Sequence, residues 1–468
     1  MRTTLGVIFG NREFFPDHLV TEARKDIEDL FKELKINPIM VGEEETKLGS
    51  VVTYEHAKVC SELFKKHKDE IDGVLVVLPN FGDEKGVADT IKLSGLRVPI
   101  LVQAYPDDLA TLNVARRRDA FCGKISVCNN LRQYGFDYSL TNQHTIVPMS
   151  EGFKVDLVNF VKVCNIVNGL RNARLGAIGA RPTAFNTVRY SEKLLQAYGI
   201  SVTTIDLSEI LSLANKISDD DVKVMAKVSD IKAYAKHEVV PSTYIVRMAK
   251  LGIVISDWMK ANDLDASAIQ CWSSIQQNYG VNACTLMSMM SDQLMPSACE
   301  VDITGVVSMY ALQLASGFPG ALADWNNNYG DDPDKCILFH CGNWANSFVP
   351  NNEIKTAPIL GTTLGEENTY GAMAGRASAG QMTYARVSTD DVNGVIRTYV
   401  GIGQLTDDPA DTFGHRAVAY VPNLQSLLKY ICKNGFEHHV AMTIGNVADA
   451  LGEAFTTYLG WENYHHSS

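Results

Sequence analysis

The sequence lacks the features that mark several common classes of protein. No apolar run approaches the ~18 residues that a membrane-spanning helix needs, and the one that ends at Phe9 is too short for a secretory leader. Basic residues are in the minority, since 42 Lys and Arg face 54 Asp and Glu for a formal charge of −12. Binding along nucleic-acid phosphates requires basic stripes, and the densest basic run is only Arg116–Arg118. We therefore expect a cytoplasmic protein that binds neither membranes nor nucleic acids.

Two further signatures are missing. The chain has ten cysteines but no C-x-x-C pair, which argues against a zinc ribbon or a thioredoxin-like motif. Several cysteines, such as Cys164 and Cys271, lie within apolar runs, so we expect reduced, buried thiols that act as small hydrophobes. The stretch Leu175–Gly179 does not spell G-x-G-x-x-G, which argues against a nicotinamide-dependent dehydrogenase.

The sequence does contain a regular alternation of strand and helix patterns, and this pattern changes in the last third of the chain. Apolar runs separated by helical patterns predict parallel sheets covered on both faces. After about Gly317, short runs separated by Gly, Asn and Asp predict antiparallel strands. The predicted fold is α/β, with two doubly wound parallel-sheet domains followed by a β-rich, barrel-like C-terminal domain. The predicted domains are residues 1–148, 149–316 and 317–468.

Acidic and imidazole side chains lie next to apolar runs at four places, where an unpaired charge would be costly. Glu300 and Asp302 lie two residues apart and share a face if the segment is extended. Asp324 ends an apolar run, His340 ends another, and His438-His439 follow a third. Carboxylates with one nitrogen ligand suit Mn²⁺ or Mg²⁺ better than Zn²⁺. Taken singly, each piece is also compatible with a capping carboxylate or a core histidine.

These segments resemble the L-fucose/L-arabinose isomerase family of metal-dependent ketol isomerases, and the chain is closer to the L-fucose isomerase branch. The resemblance is most specific in Cys299–Gly305, Ala323–Asn326, His340–Trp344 and Glu437–Met442. It extends to the three-part architecture, although full-length fucose isomerases are larger than this chain. It implies an aldose–ketose isomerase that acts on a free sugar.

The resemblance also implies the ligands of the cation, which is usually Mn²⁺, with Mg²⁺ or Co²⁺ as options. Glu300 and Asp324 match the two acidic ligands and would also act as the acid/base pair through a cis-enediol. The late histidine ligand is assigned to His439, with His438 as the second choice. His340 matches a further histidine of the arabinose branch, and in the fucose branch it would line the pocket.

Other side chains are candidates for contact with the sugar. Trp325 and Trp344 would form an apolar wall, or would instead be core aromatics. Trp272 is a third aromatic candidate, and Arg181 and Asn343 could hydrogen-bond hydroxyl groups.

The resemblance implies a homo-oligomer, a hexamer or a trimer, with active sites near the subunit interfaces. Loops of the first domain at Gly10–Arg12, Pro79–Gly82 and Gln103–Tyr105 are candidates for completing a neighbour's site.

Three alternatives remain open at this point. The main interpretation is an isomerase of an L-fucose-like sugar. A second is an isomerase of another sugar, namely L-arabinose, D-arabinose or a C6-modified hexose such as a sulfosugar. A third is a non-catalytic sugar-binding protein, which would share the α/β domains but would not need a transition-metal ion.

Overall fold

The computed structural model describes residues 3–467, and the chain divides into two compact units. The first comprises the residues up to Asn168 together with Glu453–Gly460. The second comprises Gly169–Gly452 and the residues from Trp461 onward. Among residues 3–467, no helix is both long enough and apolar enough to cross a membrane.

The first unit is built on a five-stranded parallel sheet in the order β2-β1-β3-β4-β5. Strands β1, β3 and β4 are buried along their whole length, which explains their continuous apolar sequences. The strands are β1 (Thr4–Phe9), β2 (Asn37–Ile39), β3 (Gly73–Leu78), β4 (Ile100–Ala104) and β5 (Ser139–Leu140). The helices are α1 (His18–Leu34), α2 (Tyr54–Lys66), α3 (Glu84–Ser94), α4 (Ala120–Gln133) and α5 (Glu151–Arg171).

The loops after β1 and β3 meet at the carboxyl edge of this sheet. Asn80 donates from Nδ2 to Oδ1 of Asn11 at 2.8 Å, and Arg12 donates from Nε to the carbonyl of Gly82 at 2.9 Å. The loops predicted to complete a neighbouring site therefore include two that contact each other. Their role in an oligomer stays a prediction.

The second unit begins with a four-stranded parallel sheet in the order β7-β6-β8-β9. Its strands are β6 (Arg174–Ile178), β7 (Ser201–Ile205), β8 (Ala266–Ile269) and β9 (Ser297–Ala298). The helices of this part are α6 (Glu192–Ala197), α7 (Leu207–Lys216), α8 (Val222–Tyr234), α9 (Ser242–Ala261), α10 (Ser274–Tyr279), α11 (Cys284–Asp292) and α12 (Ile303–Ser316).

The same unit continues into a nine-stranded mixed sheet whose central strands close into a barrel. The strands are β10 (Ala321–Tyr329), β11 (Asp332–His340), β12 (Glu353–Lys355), β13 (Ala372–Arg376), β14 (Gly380–Asp390), β15 (Val395–Thr406), β16 (His415–Tyr420), β17 (His439–Ile444) and β18 (Glu462–His466). Their order is β12-β13-β16-β11-β10-β17-β14-β15-β18, and β15 also pairs with β16. This extra pairing closes the ring β16-β11-β10-β17-β14-β15, so these strands have no free edge. The helices here are α13 (Pro358–Leu364), α14 (Leu424–Asn434) and α15 (Ala448–Glu453). The π-helical turn over Ala454–Tyr458 belongs to the first unit.

The predicted fold class is confirmed, down to the barrel. Each of the three predicted domains contains one of the sheets, whereas the contacts within the chain group the second and third sheets into one unit. The three-domain division stays a prediction. One element differs clearly from the sequence pattern. The apolar spacing around Ile444–Leu459 predicts a closing helix, whereas Ile444 ends β17 and the helix begins only at Ala448.

The cysteines are all free, in agreement with the expectation of reduced thiols. Cys164 and Cys271, which were expected to be buried, are buried. Cys122 and Cys432 are exposed, and Cys128 and Cys341 are half-buried.

Candidate active site

Glu300 lies in a tight turn between β9 and α12. Glu300 and Val301 both adopt the left-handed conformation, with φ of 55° and 56°, which is rare for a residue such as valine with a branched Cβ. Asp302 then caps α12, accepting a hydrogen bond on Oδ1 from the amide of Gly305 at 2.8 Å. The segment is therefore not extended, and the condition for Glu300 and Asp302 to share a strand face is not met.

Asp324 and His439 are brought together by the barrel. They are directly opposed in the antiparallel pairing of β10 with β17, and Oδ1 of Asp324 lies 3.4 Å from Nε2 of His439. Residues opposed in this way have side chains on the same face. The register of two strands thus places a carboxylate beside an imidazole, although the two residues are far apart in sequence.

Asp302 fixes the orientation of His439 through a hydrogen bond to Nδ1, the ring nitrogen that faces away from Glu300 and Asp324. Nδ1 of His439 donates to Oδ2 of Asp302 at 2.8 Å, so in the neutral ring Nε2 carries the lone pair. Asp302 also accepts from the buried guanidinium of Arg386 at 2.6 and 3.0 Å. Burial opposes ionisation of Asp302, but Arg386 and His439 outweigh it and hold the pKa of this carboxyl well below its usual range.

One carboxylate oxygen of Glu300 accepts a hydrogen bond, and the other faces two histidines. Oε1 accepts from Nε1 of Trp272 at 3.1 Å, whereas Oε2 lies 3.7 Å from Nε2 of His340 and 3.8 Å from Nε2 of His439. Burial raises the pKa of Glu300, and the two imidazoles partly offset this increase.

Two buried carboxylate oxygens at this point have no hydrogen-bond partner within residues 3–467: Oε2 of Glu300 and Oδ1 of Asp324. Both face Nε2 of His439 at less than 4 Å. Leaving a buried carboxylate oxygen without a partner is costly, and a cation would remove that cost. Two oxygens and one nitrogen that converge in this way fit a divalent cation such as Mn²⁺ or Mg²⁺. Potential ligand atoms within 4.8 Å of one another form two groups that share His439, namely Glu300–His340–His439 and Asp324–His438–His439.

Aromatic rings lie along one side of these donors. The ring of Trp272 meets Phe185 edge-on at a centroid distance of 5.2 Å. Phe185 also lies 5.9 Å from the ring of His438 and 6.2 Å from that of His439. Phe185 was not predicted from the sequence. Its position in the loop that follows the parallel strand β6 could have indicated it, because ligands bind beyond the carboxyl ends of such strands.

Trp325 and Trp344 lie in the hydrophobic core of the barrel region. Trp325 adjoins Asp324 in a strand and so projects to the opposite face, where its Nε1 donates to the hydroxyl of Tyr399 at 3.1 Å. Trp344 is fully buried, and its Nε1 donates to the carbonyl of Leu322 at 2.6 Å. Both positions correspond to the core alternative rather than to a wall for the sugar.

The remaining predicted residues are placed as follows. The side chain of His438 is 44% exposed, and its Nε2 lies 3.5 Å from Oδ1 of Asp324, so both histidines of the pair reach this carboxylate. Asn343 is fully buried, and its amide oxygen and nitrogen have no hydrogen-bond partner in the part of the chain that is described. Arg181 is half-buried in the loop that also carries Phe185, and it donates to the carbonyl of Pro182 at 3.1 Å.

A buried ion network behind the site has no counterpart in the sequence analysis. Arg386 is fully buried and also donates from Nε to Glu437 at 3.2 Å, while Glu437 accepts from Ser388 at 3.0 Å. No spacing rule links Arg386 to Asp302, because β14 and the start of α12 meet only in the folded chain.

Two models of one family match the chain. The model described as "Fucose/sulfoquinovose isomerase, N-terminal domain" matches residues 6–171, and the model described as "L-fucose isomerase, C-terminal domain" matches residues 338–466. The matched C-terminal stretch includes His340, Arg386 and His439.

Curated relatives include proteins named sulfoquinovose isomerase. The protein of Clostridium sp. (strain MSTE9) is 25% identical over 342 residues, covering 72% of this chain and 74% of its own. The protein of Priestia aryabhattai is 24% identical over 397 residues, covering 82% of this chain and 83% of its own. Among solved structures, unliganded arylmalonate decarboxylase matches with 13% identity and a TM-score of 0.15, which is too low to bear on the fold. The chain therefore belongs to the fucose isomerase family and is an aldose–ketose isomerase of sugars.

Proposed function

We propose that the chain is a divalent-cation-dependent isomerase of a hexose that carries a sulfonate at C6, with Mn²⁺ as the preferred ion. Glu300, Asp324 and His439 would hold the cation. The observation that carries this assignment is the pair of buried, unpartnered carboxylate oxygens facing Nε2 of His439.

The substrate class rests on the relatives. The curated relatives of Clostridium and Priestia are named sulfoquinovose isomerase, which favours the C6-modified hexose over L-fucose. A sulfonate needs a cationic or hydrogen-bonding partner. Arg181 is our candidate, because its loop also brings Phe185 against Trp272 and the histidine pair.

Ketol isomerisation moves a proton between C1 and C2 and relocates the hydroxyl protons, by way of a cis-enediol. When bound, the cation supplies Lewis-acid stabilisation of the developing negative charge on oxygen. Glu300 would exchange the carbon-bound proton, and the hydrogen bond from Trp272 to Oε1 fixes the orientation of its carboxylate. Asp324, on the other side of His439, would carry the hydroxyl proton.

The non-catalytic sugar-binding alternative is not supported, since the family matched is one of isomerases. The proposal is tested with purified protein and Mn²⁺ on a panel of sulfoquinovose, L-fucose, L-arabinose and D-arabinose, scored by NMR for interconversion. We expect sulfoquinovose to have the highest kcat/KM. Preferential turnover of L-fucose would overturn the substrate assignment and leave the isomerase assignment standing.

The same assay in deuterated water tests the enediol route, because exchange through a base incorporates deuterium at the transferred position. Product formed without deuterium would contradict a proton-transfer role for Glu300 and Asp324. Removal of metal with a chelator should abolish turnover. Readdition of Mn²⁺ should restore it more fully than Mg²⁺ or Co²⁺.

A further inference from the structure

Thiols from three separate segments meet around Cys341. Cys284 begins α11, Cys299 follows β9, and Cys341 follows β11. The Sγ atom of Cys341 lies 3.6 Å from Sγ of Cys284 and 3.7 Å from Sγ of Cys299. It also lies 3.4 Å from Nδ1 of His340, which accepts a 3.0 Å hydrogen bond from the amide of Cys341, so a metal ion at Nδ1 would replace that bond. The spacing of these cysteines in the sequence gives no C-x-x-C signal, because each comes from a different element.

Ligand atoms of Cys299, His340 and Cys341 lie within 4.8 Å of one another, as donors around a soft metal ion do, and Cys284 adjoins this group through its contact with Cys341. With metal–sulfur bonds of about 2.3 Å, the edge of a tetrahedral site measures about 3.8 Å. Thiolate and imidazole donors select Zn²⁺ and Cu⁺, whereas carboxylates select Mn²⁺ and Mg²⁺. The thioether Sδ of Met287, 3.9 Å from Cys299, adds to the sulfur-rich surroundings.

We propose that Cys284, Cys299, Cys341 and Nδ1 of His340 form a second metal site, which takes Zn²⁺ or another thiophilic cation. It is chemically distinct from the donor set of Glu300, Asp324 and His439. The two sets lie back to back across His340, whose Nε2 faces Glu300 while its Nδ1 faces Cys341.

The placement of the donors defines what the ion would do. One ion would join the start of α11, the turn that precedes Glu300 and the end of β11, and so link the parallel sheet to the barrel within one unit. Entry is from the side of Cys341, which is half-buried, whereas Cys284 and Cys299 are buried. An ion that binds only the folded chain raises its melting temperature in proportion to the logarithm of ion concentration.

The test is a Cd²⁺ titration of the reduced, full-length chain in excess Mn²⁺, followed by the ultraviolet charge-transfer absorbance of thiolate-bound cadmium. Carboxylates and imidazoles do not give this band, so occupancy of the Glu300 site does not contribute to it. We expect one equivalent to bind and to raise Tm. Absence of the band, or displacement of Cd²⁺ by millimolar Mn²⁺, would overturn the proposal.

Substitutions sharpen the assignment. Cys341→Ser should abolish the band, and Cys284→Ala is a second variant in case the first folds poorly, as judged by circular dichroism. The exposed Cys122 and Cys432 provide the matched control, since Cys122→Ser and Cys432→Ser should leave the titration unchanged. An unchanged titration in folded Cys341→Ser or Cys284→Ala would reject the site. So would loss of the band in either control.

Discussion

Nδ1 of His439 donates a 2.8 Å hydrogen bond to Oδ2 of Asp302, and this bond aims Nε2 of the same ring between Glu300 and Asp324. Such carboxylate–imidazole pairs fix the tautomer and orientation of a metal-ligating histidine. The buried Arg386 in turn keeps Asp302 ionised.

This relationship distinguishes the two neighbouring histidines. We predict that His439→Ala weakens Mn²⁺ binding by at least about 100-fold, whereas His438→Ala changes it by less than about 10-fold. The reason is that only His439 is both buried and oriented by a carboxylate. Calorimetric titration of the metal-free variants with Mn²⁺ provides the measurement. The reverse order of affinities would make His438 the ligand.

Glu300→Gln retains the shape of the side chain but removes its charge. We expect kcat to fall by at least about 100-fold and Mn²⁺ affinity to decrease, while circular dichroism remains that of the wild type. Glu209→Gln, at an exposed position of α7, is the control and should leave both quantities unchanged. Retained turnover with stoichiometric metal would contradict the role of Glu300.

Trp272 and Trp325 form a matched pair, since each donates an indole hydrogen bond at 3.1 Å, one to Glu300 and the other to Tyr399. Hydrogen bonds to charged groups contribute more than those to neutral groups. We predict that Trp272→Phe lowers kcat by about 10-fold or more with little change in KM. Trp325→Phe should cost only about 1 kcal/mol of unfolding free energy. Equal effects on kcat would mean that Trp272 does not act through Glu300.

Arg181→Gln tests the proposed partner of the sulfonate. Loss of a charge-assisted hydrogen bond should raise the KM for sulfoquinovose by about 10-fold or more, while a sugar without the sulfonate is unaffected. The control is Arg189→Gln, since Arg189 is exposed and donates to the carbonyl of Asn186. An unchanged KM would assign sulfonate recognition to another residue.

The burial of His415 should account for part of the stability that the second unit loses at low pH. It is fully buried, and burial lowers its pKa to about 3. In an unfolded chain the pKa is about 6.5. Between these values the unfolded chain holds a proton that the folded chain lacks. Stability is therefore full above pH 6.5 and falls as the pH is lowered, by up to about 1.4 kcal/mol per pH unit.

His415→Gln should flatten this dependence, so that its Tm falls less than that of the wild type between pH 6.5 and 4.5. His465→Gln, at an exposed position, serves as the control and should follow the wild type. Parallel Tm curves for wild type and His415→Gln would show that His415 does not titrate on unfolding.

The elements that the sequence predicted best are those with strong local patterns. The continuous apolar run Thr4–Phe9 predicts a strand and the helical apolar spacing over His18–Leu34 predicts a helix, and both elements form with those bounds. Continuous or periodic apolar residues determine which surface is buried. Glu300, Asp324 and His439 were singled out from the sequence, and a carboxylate oxygen of each acid lies within 4 Å of Nε2 of His439. Their role as metal ligands stays a prediction.

What could not be predicted depends on pairings between distant segments. The bond from Arg386 to Asp302 arises where barrel strand β14 meets the start of α12, and the bond from Trp272 to Glu300 arises from the pairing of β8 with β9. The placement of Trp325 was decided by strand alternation, a rule that applies only once the strand bounds are known. The thiol cluster at Cys341 likewise could not be predicted from spacing, because its cysteines come from different elements.

The left-handed turn at Glu300 and Val301 has a consequence for protein engineering. A branched residue held at φ 56° costs on the order of 1–3 kcal/mol, and glycine would relieve that cost. Val301 is also buried, so Val301→Gly would lose the packing of that side chain, which offsets the relief of strain. The same substitution would loosen the backbone that aims Glu300, so the turn trades backbone strain for a fixed position of the carboxylate.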